Sequence, residues 1–191
     1  MLSRARMRGF VGGAAILTLF GGLWCIWPLA AWPERPAWAI PTACAAIFVL
    51  LLLCILRWIA SARILESEDP TASARGKRAG ILFGIISGLE GGLIALASAL
   101  LARSGLTAWI PWAVALIVGV HFLPLAYVFK APLYYWTGAL SVLGTLVCLF
   151  IHAGAMRTLC VGLVMAGVLW STTLVILLQT RSRRSAVRSN L

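Results

Sequence analysis

The chain has 191 residues, 62% of them hydrophobic and 11% charged. Soluble domains are about 45–50% apolar and about 25% charged, so a soluble fold of this length is excluded and lipid is expected to solvate much of the surface. The formal charge of +11 does not point to nucleic acid: the basic residues sit at run ends and in loops, and sixteen Lys and Arg against five Asp and Glu is the balance of a membrane protein with basic cytoplasmic loops.

Arg4, Arg6 and Arg8 precede the first apolar run, residues 10–31. That run is about 20 residues, longer than the roughly 7–15 of a signal-peptide core, and no Ala-x-Ala site closes it. It is therefore expected to be a retained span. A turn with Pro33, Glu34, Arg35 and Pro36 leads to a second span over 38–59, closed by Arg57 and Trp58. Residues 60–78 carry Glu66, Glu68, Asp69, Arg75, Lys77 and Arg78 and read as a cytoplasmic loop, starting as a helical extension of the second span. The third span covers 79–101 and the fourth 109–129, joined by a short turn containing Gly105. The fifth covers 133–152 and the sixth 159–179, followed by a basic tail, 180–191.

Runs of about 20 residues match a hydrocarbon core of about 30 Å. Their apolar character is continuous rather than alternating, so they are helices and not barrel strands. The predicted fold class is all-α: one polytopic domain of six transmembrane helices. Thirteen of the sixteen basic residues fall on the side that holds both termini, which places those termini in the cytoplasm. Trp24, Trp27, Trp32, Trp38, Trp109 and Trp112 mark the outer ends as an interfacial belt or an aromatic vestibule. The six runs show no internal inverted repeat.

The five cysteines form no Cys-x-x-Cys pair and have no metal-ligand spacing. They read as small packing residues, with a Cys25–Cys160 disulfide as the alternative. No metal and no cofactor is expected. His152, at the outer end of the fifth span, is too far from His121 in depth for one haem to bridge them.

The chemistry concentrates in the third and fourth spans. Glu90 is the only acidic residue inside an apolar run, and His121 the only histidine near the middle of one. Each lies about twelve residues from the turn joining the two spans, about 18 Å below the outer surface at 1.5 Å per residue. A short turn makes the spans antiparallel neighbours, so an acid and an imidazole share one depth. An ionised carboxylate at the bilayer centre costs at least about 2.5–3.5 kcal/mol on insertion scales. The pair is either a proton relay or substrate site, with Pro124 freeing the Val120 carbonyl beside it, or a hydrogen bond tying two helices together. Gly80, Gly84, Gly88 and Gly92 form a ridge at a spacing of four. That ridge is expected to pack helices, against another span of the chain or against a second copy, on a face other than that of Glu90. Tyr127, Lys130, Tyr134 and Tyr135 read as an inner-interface patch: a girdle, a gate or a headgroup site.

The run Val118-Gly119-Val120-His121-Phe122-Leu123-Pro124, with Tyr127, Lys130 and Tyr134-Tyr135 after it, resembles a stretch of bacterial multi-spanning membrane proteins classed as a domain of unknown function. The resemblance implies a compact helical membrane protein, no particular activity, and His121, Pro124, Lys130 and Tyr135 as positions to test. No protease, hydrolase or P-loop motif is present, so no catalytic residue is assigned. The first reading is a proton-linked small-solute transporter or channel-like protein of the bacterial inner membrane. The alternative is a non-catalytic subunit or scaffold of a larger complex, or of a homodimer. An enzyme acting on a lipid or quinone ranks behind both.

Overall fold

A computed structural model describes the backbone of residues 4–31, 39–62, 70–151 and 154–188, and the side chains of 12–26, 41–57, 77–151 and 154–179. Among these residues the fold is all-α. The helices are α1 (Arg4–Ala31), α2 (Ala39–Ala62), α3 (Pro70–Arg103), α4 (Ile110–Phe129), α5 (Leu133–Val147) and α6 (Ala155–Arg188). Short 3₁₀ turns, Thr107–Trp109 and Cys148–Phe150, lead into α4 and out of α5.

Among the residues whose side chains are described, four stretches are long and apolar enough to cross a membrane: Lys77–Arg103, Thr107–Phe129, Leu133–Phe150 and Ala155–Gln179. The described parts of α1 and α2, Gly12–Ile26 and Pro41–Arg57, are apolar as well. His152, the turn at 32–38 and the acidic residues at 66–69 lie outside the described residues.

The largest departures from the expected boundaries are at α3 and α6. α3 starts at Pro70, nine residues before the predicted span, so residues 70–78 of the expected loop are helix. Proline suits a first helical position, where its missing N–H has no intrahelical partner to lose, and the charge that ended the apolar run does not oppose helix outside the membrane. Likewise α6 continues through the basic tail to Arg188.

α1 packs most extensively on α6, α4 packs on α5 and α3, and α2 and α5 flank α1 and α6. The core lies between α1, α4, α5 and α6, around Ala14, Ala115, Phe122, Cys148, Val161, Met165 and Leu169, each at most 4% exposed. Without a hydrophobic drive between helices in lipid, close packing and interhelical hydrogen bonds hold such a bundle together. Both are present. A Cβ added at Gly138 would lie 2.8 Å from the Gly119 carbonyl oxygen, so α4 and α5 meet backbone to backbone. At the α1–α6 contact, Gly21 leaves room for the Trp170 ring. The Trp170 indole donates to the Thr18 carbonyl at 3.2 Å. Thr137 and Thr172 bring their hydroxyls within 2.9 Å across α5 and α6.

Ser141, also on α5, is fully buried, and its Oγ has no hydrogen-bond partner among the described residues. A buried hydroxyl left unpaired costs about 1–3 kcal/mol. Ser141→Ala is therefore expected to hold or raise the thermal midpoint in detergent, whereas Thr137→Val, which removes a paired hydroxyl, is expected to lower it. A clear drop for Ser141→Ala would show that the hydroxyl has a partner.

Candidate functional site

α3 and α4 are joined by a tight turn. The Leu106 N–H bonds the Leu101 carbonyl at 2.8 Å and the Gly105 N–H bonds the Ala102 carbonyl at 3.1 Å. Gly105 takes φ +71°, the left-handed conformation that closes a helix in this way. The turn folds α4 back along α3. The residues of α3 turned toward the bundle recur every three to four positions: Phe83, Ile86, Glu90, Ile94 and Leu101 are half-buried along one stripe. Phe83 meets the Phe129 ring of α4 at 6.1 Å between centroids, below Glu90.

Glu90 lies on that packed stripe. Its Oε1 is 3.2 Å from His121 Nδ1, with side chains 16% and 14% exposed. The same Nδ1 lies 2.6 Å from the Val118 carbonyl oxygen, one turn earlier in α4. A carbonyl oxygen can only accept, so the proton belongs on Nδ1, which donates to Val118 and reaches Glu90 as a second acceptor. The ring is thereby pinned to its own helix and turned toward α3. Nε2 has no protein partner among the described residues.

The expectation that acid and imidazole share one depth on neighbouring helices therefore extends to direct contact. The glycine ridge and Glu90 lie on different faces of α3, as expected, but the expectation that the ridge packs against another span of the chain is corrected. A Cβ added at Gly80, Gly84, Gly88 or Gly92 would meet nothing within 4 Å. These glycines do not pack against another span among the described residues, and the exposed Ile81, Ile85 and Leu89 lie beside them. The face that packs is the one carrying Glu90.

Pro124 lies inside α4, which runs through it unbroken from Ile110 to Phe129. Its ring is exposed, as is Val120 at 53%. The carbonyl freed by the proline thus belongs to a residue whose side chain points away from the bundle. The residues expected to form an inner-interface patch differ in burial. Tyr127 and Tyr135 are 79% and 46% exposed. Tyr134 turns inward, its ring 6.0 Å from Phe122 and 6.2 Å from Phe129, with its hydroxyl where a side chain on Gly13 would stand.

Lys130 has a backbone role. It adopts φ 49°, the one described non-glycine residue with positive φ. Its N–H bonds the Tyr127 carbonyl at 3.3 Å, and the Ala131 N–H bonds the Ala126 carbonyl at 3.1 Å. This is a helix stop of the same kind as at Gly105, with Pro132 two residues on.

Two constellations escaped the sequence reading. The first is the set of buried threonines between helices, Thr18 and Thr173 among them, whose hydroxyls lie 3.4 Å apart. A threonine among apolar residues reads equally as packing, so only its contacts distinguish it. The second is where the start of α4, the end of α5 and the start of α6 meet. The Arg157 guanidinium sits 4.5 Å over the Trp109 ring, Trp109 and Trp112 meet edge to face at 5.9 Å, and the Trp112 indole donates to the Thr145 carbonyl at 3.0 Å. Beneath this cap, Cys148 and Cys160 bring their sulfurs within 2.7 Å. Cys25 lies beside Cys44. The alternative Cys25–Cys160 pairing is not formed, and each of the two cysteines neighbours another within its own helical hairpin.

Among the described residues no group of three or more His, Cys, Asp or Glu side chains is placed to hold a metal ion. The fold defines the chain as an all-α protein with membrane-length apolar helices. No protein-family model, no curated protein and no solved structure matches it.

Proposed function

We propose that this protein is a non-catalytic helical subunit of a bacterial cytoplasmic membrane, crossing it six times with both termini inside, in which the Glu90–His121 pair staples α3 to the bundle. The observation that carries this reading is the place of Glu90 on the packed stripe of α3, in contact with an imidazole already held by its own backbone. A carboxylate on that stripe has its partner within the chain, as a staple requires. With that face committed, α3 turns its glycine ridge outward, and a spacing of four allows close approach of another helix. The partner we assign to the ridge is a second copy of the chain.

Two measurements test the reading. In proteoliposomes under an imposed pH gradient, the protein is expected to add no proton movement beyond that of protein-free vesicles. A flux that disappears in Glu90→Gln would overturn the reading. By light scattering in detergent, Gly84→Leu with Gly88→Leu is expected to reduce the dimer fraction while leaving helical content unchanged. A wild-type protein that is monomeric in detergent and in lipid nanodiscs removes the homodimer.

One observation favours the runner-up, proton-linked transport of a small solute. With Nδ1 donating to Val118 and Glu90, His121 Nε2 is the ring atom left to take up a proton from outside the pair. The flux measurement separates the two readings.

A further inference from the structure

The second constellation at the outer end has no part in the staple. Cys148 closes α5 and is fully buried, whereas Cys160, in the second turn of α6, is half-buried. Their sulfurs are 2.7 Å apart, a separation from which small side-chain rotations reach an S–S bond of about 2.05 Å. The pair lies one helical turn inward of Arg157, whose Nε donates to the Ile151 carbonyl at 3.3 Å and whose charge stacks on Trp109. A guanidinium so placed marks the membrane–water boundary. The Cys160 thiol is therefore within reach of a water-borne reagent, at the helix ends opposite the basic face of the protein. Disulfides form and persist in compartments on that side of a bacterial membrane.

We propose that Cys148 and Cys160 are a modification site, joined as an intramolecular disulfide by exchange with the disulfide of an extracytoplasmic thiol oxidase. The site rests on the orientation given above, with the α5–α6 turn outside. The more exposed Cys160 gives up its proton to water, and its thiolate attacks one sulfur of the oxidase disulfide. A mixed disulfide forms and one oxidase sulfur leaves as thiolate. The Cys148 thiol, adjacent and shielded, gives its proton to the oxidase thiolate just released, and its sulfur then attacks the Cys160 sulfur. The Cys148–Cys160 bond forms, the mixed disulfide breaks, and the second oxidase sulfur leaves. The two departing thiolates take up two protons, so two thiols of this protein are oxidised and one oxidase disulfide becomes a dithiol. Cys25 and Cys44, 3% and 9% exposed, are both shielded and serve as the internal control.

Trypsin separates the two residues, because it cleaves after Lys130 and Arg157 and leaves Cys148 and Cys160 on different peptides. The full-length protein, expressed in a bacterial cytoplasmic membrane and alkylated with N-ethylmaleimide before lysis, is expected to yield those two peptides cross-linked. The link should be lost on reduction and absent from both Cys148→Ser and Cys160→Ser. A membrane-impermeant maleimide applied to intact cells is expected to label Cys160 in Cys148→Ser, and in the wild type only after reduction. Wild-type Cys148 and Cys160 both alkylated before reduction, or Cys160 linked to Cys25, would overturn the proposal through its chemistry. Labelling of Cys160 from the cytoplasmic face alone would overturn it through the orientation. The wild-type peptide map decides the first point without any variant having to fold.

Discussion

Gly138→Ala is expected to be among the most damaging small substitutions in the chain, lowering stability by about 1–3 kcal/mol, the range for overpacking a filled interior. The added methyl would stand 2.8 Å from the Gly119 carbonyl oxygen and 3.2 Å from Phe122 Cβ. A backbone oxygen cannot rotate aside as a side chain can, so α4 and α5 must separate along their contact. Gly119→Ala meets the Val142 methyl at 2.9 Å, which has some freedom to turn, and a smaller loss is expected. Gly84→Ala meets nothing within 4 Å. There the helix preference for alanine, roughly 0.5–1 kcal/mol, is expected to hold or raise the stability of the monomer, measured at a dilution in detergent that dissociates the dimer. Thermal unfolding in detergent reads all three, and equal losses at Gly84 and Gly138 would contradict this account of the packing.

His121→Leu is the second large effect. The substitution removes the donor that Glu90 faces and leaves a carboxylate on a packed helical stripe. Breaking a hydrogen bond to a charged group costs about 1.5–3 kcal/mol, and a buried polar atom then lacks a partner. The variant is expected to unfold at lower temperature and to loosen α3 first, since among the described residues α3 packs chiefly on α4 and only slightly on α1. Amide exchange in α3 should accelerate more than in α6. Uniform acceleration would mean that the pair supports the whole bundle rather than the α3–α4 contact.

Much of the architecture was legible because lipid imposes strong constraints. Apolar runs of membrane length, Gly105 at a turn and Pro132 after a helix end marked elements that the structure places close by. Helix ends outside the apolar runs were not legible: hydropathy reports where lipid is, and α3 from Pro70 and α6 to Arg188 continue as helix beyond it. The site was half legible. Depth along two antiparallel helices brought Glu90 and His121 to one level, and rise per residue suffices for that. Rotation about each axis is set by side-chain packing, which spacing alone does not encode. The ridge at 80, 84, 88 and 92 therefore looked like the contact, while the glycines that admit a neighbour are isolated ones such as Gly21, Gly119 and Gly138. The thiol pairs were missed for the same reason, since Cys148 and Cys160 meet only once α5 and α6 are folded together.

A double-mutant cycle at Glu90 and His121 tests the central claim most directly, with leucine at both positions and unfolding free energy measured in detergent. A staple between α3 and α4 is expected to make Glu90→Leu and His121→Leu each destabilising and the double variant less so than their sum, with a coupling of about 0.6 kcal/mol, the average for such bonds between membrane helices, and at most about 1.7. The double variant should recover part of the loss of His121→Leu, because an apolar pair leaves no unpaired carboxylate. Strictly additive losses would contradict the account, since the two side chains would then contribute independently and α3 would be held by its other contacts.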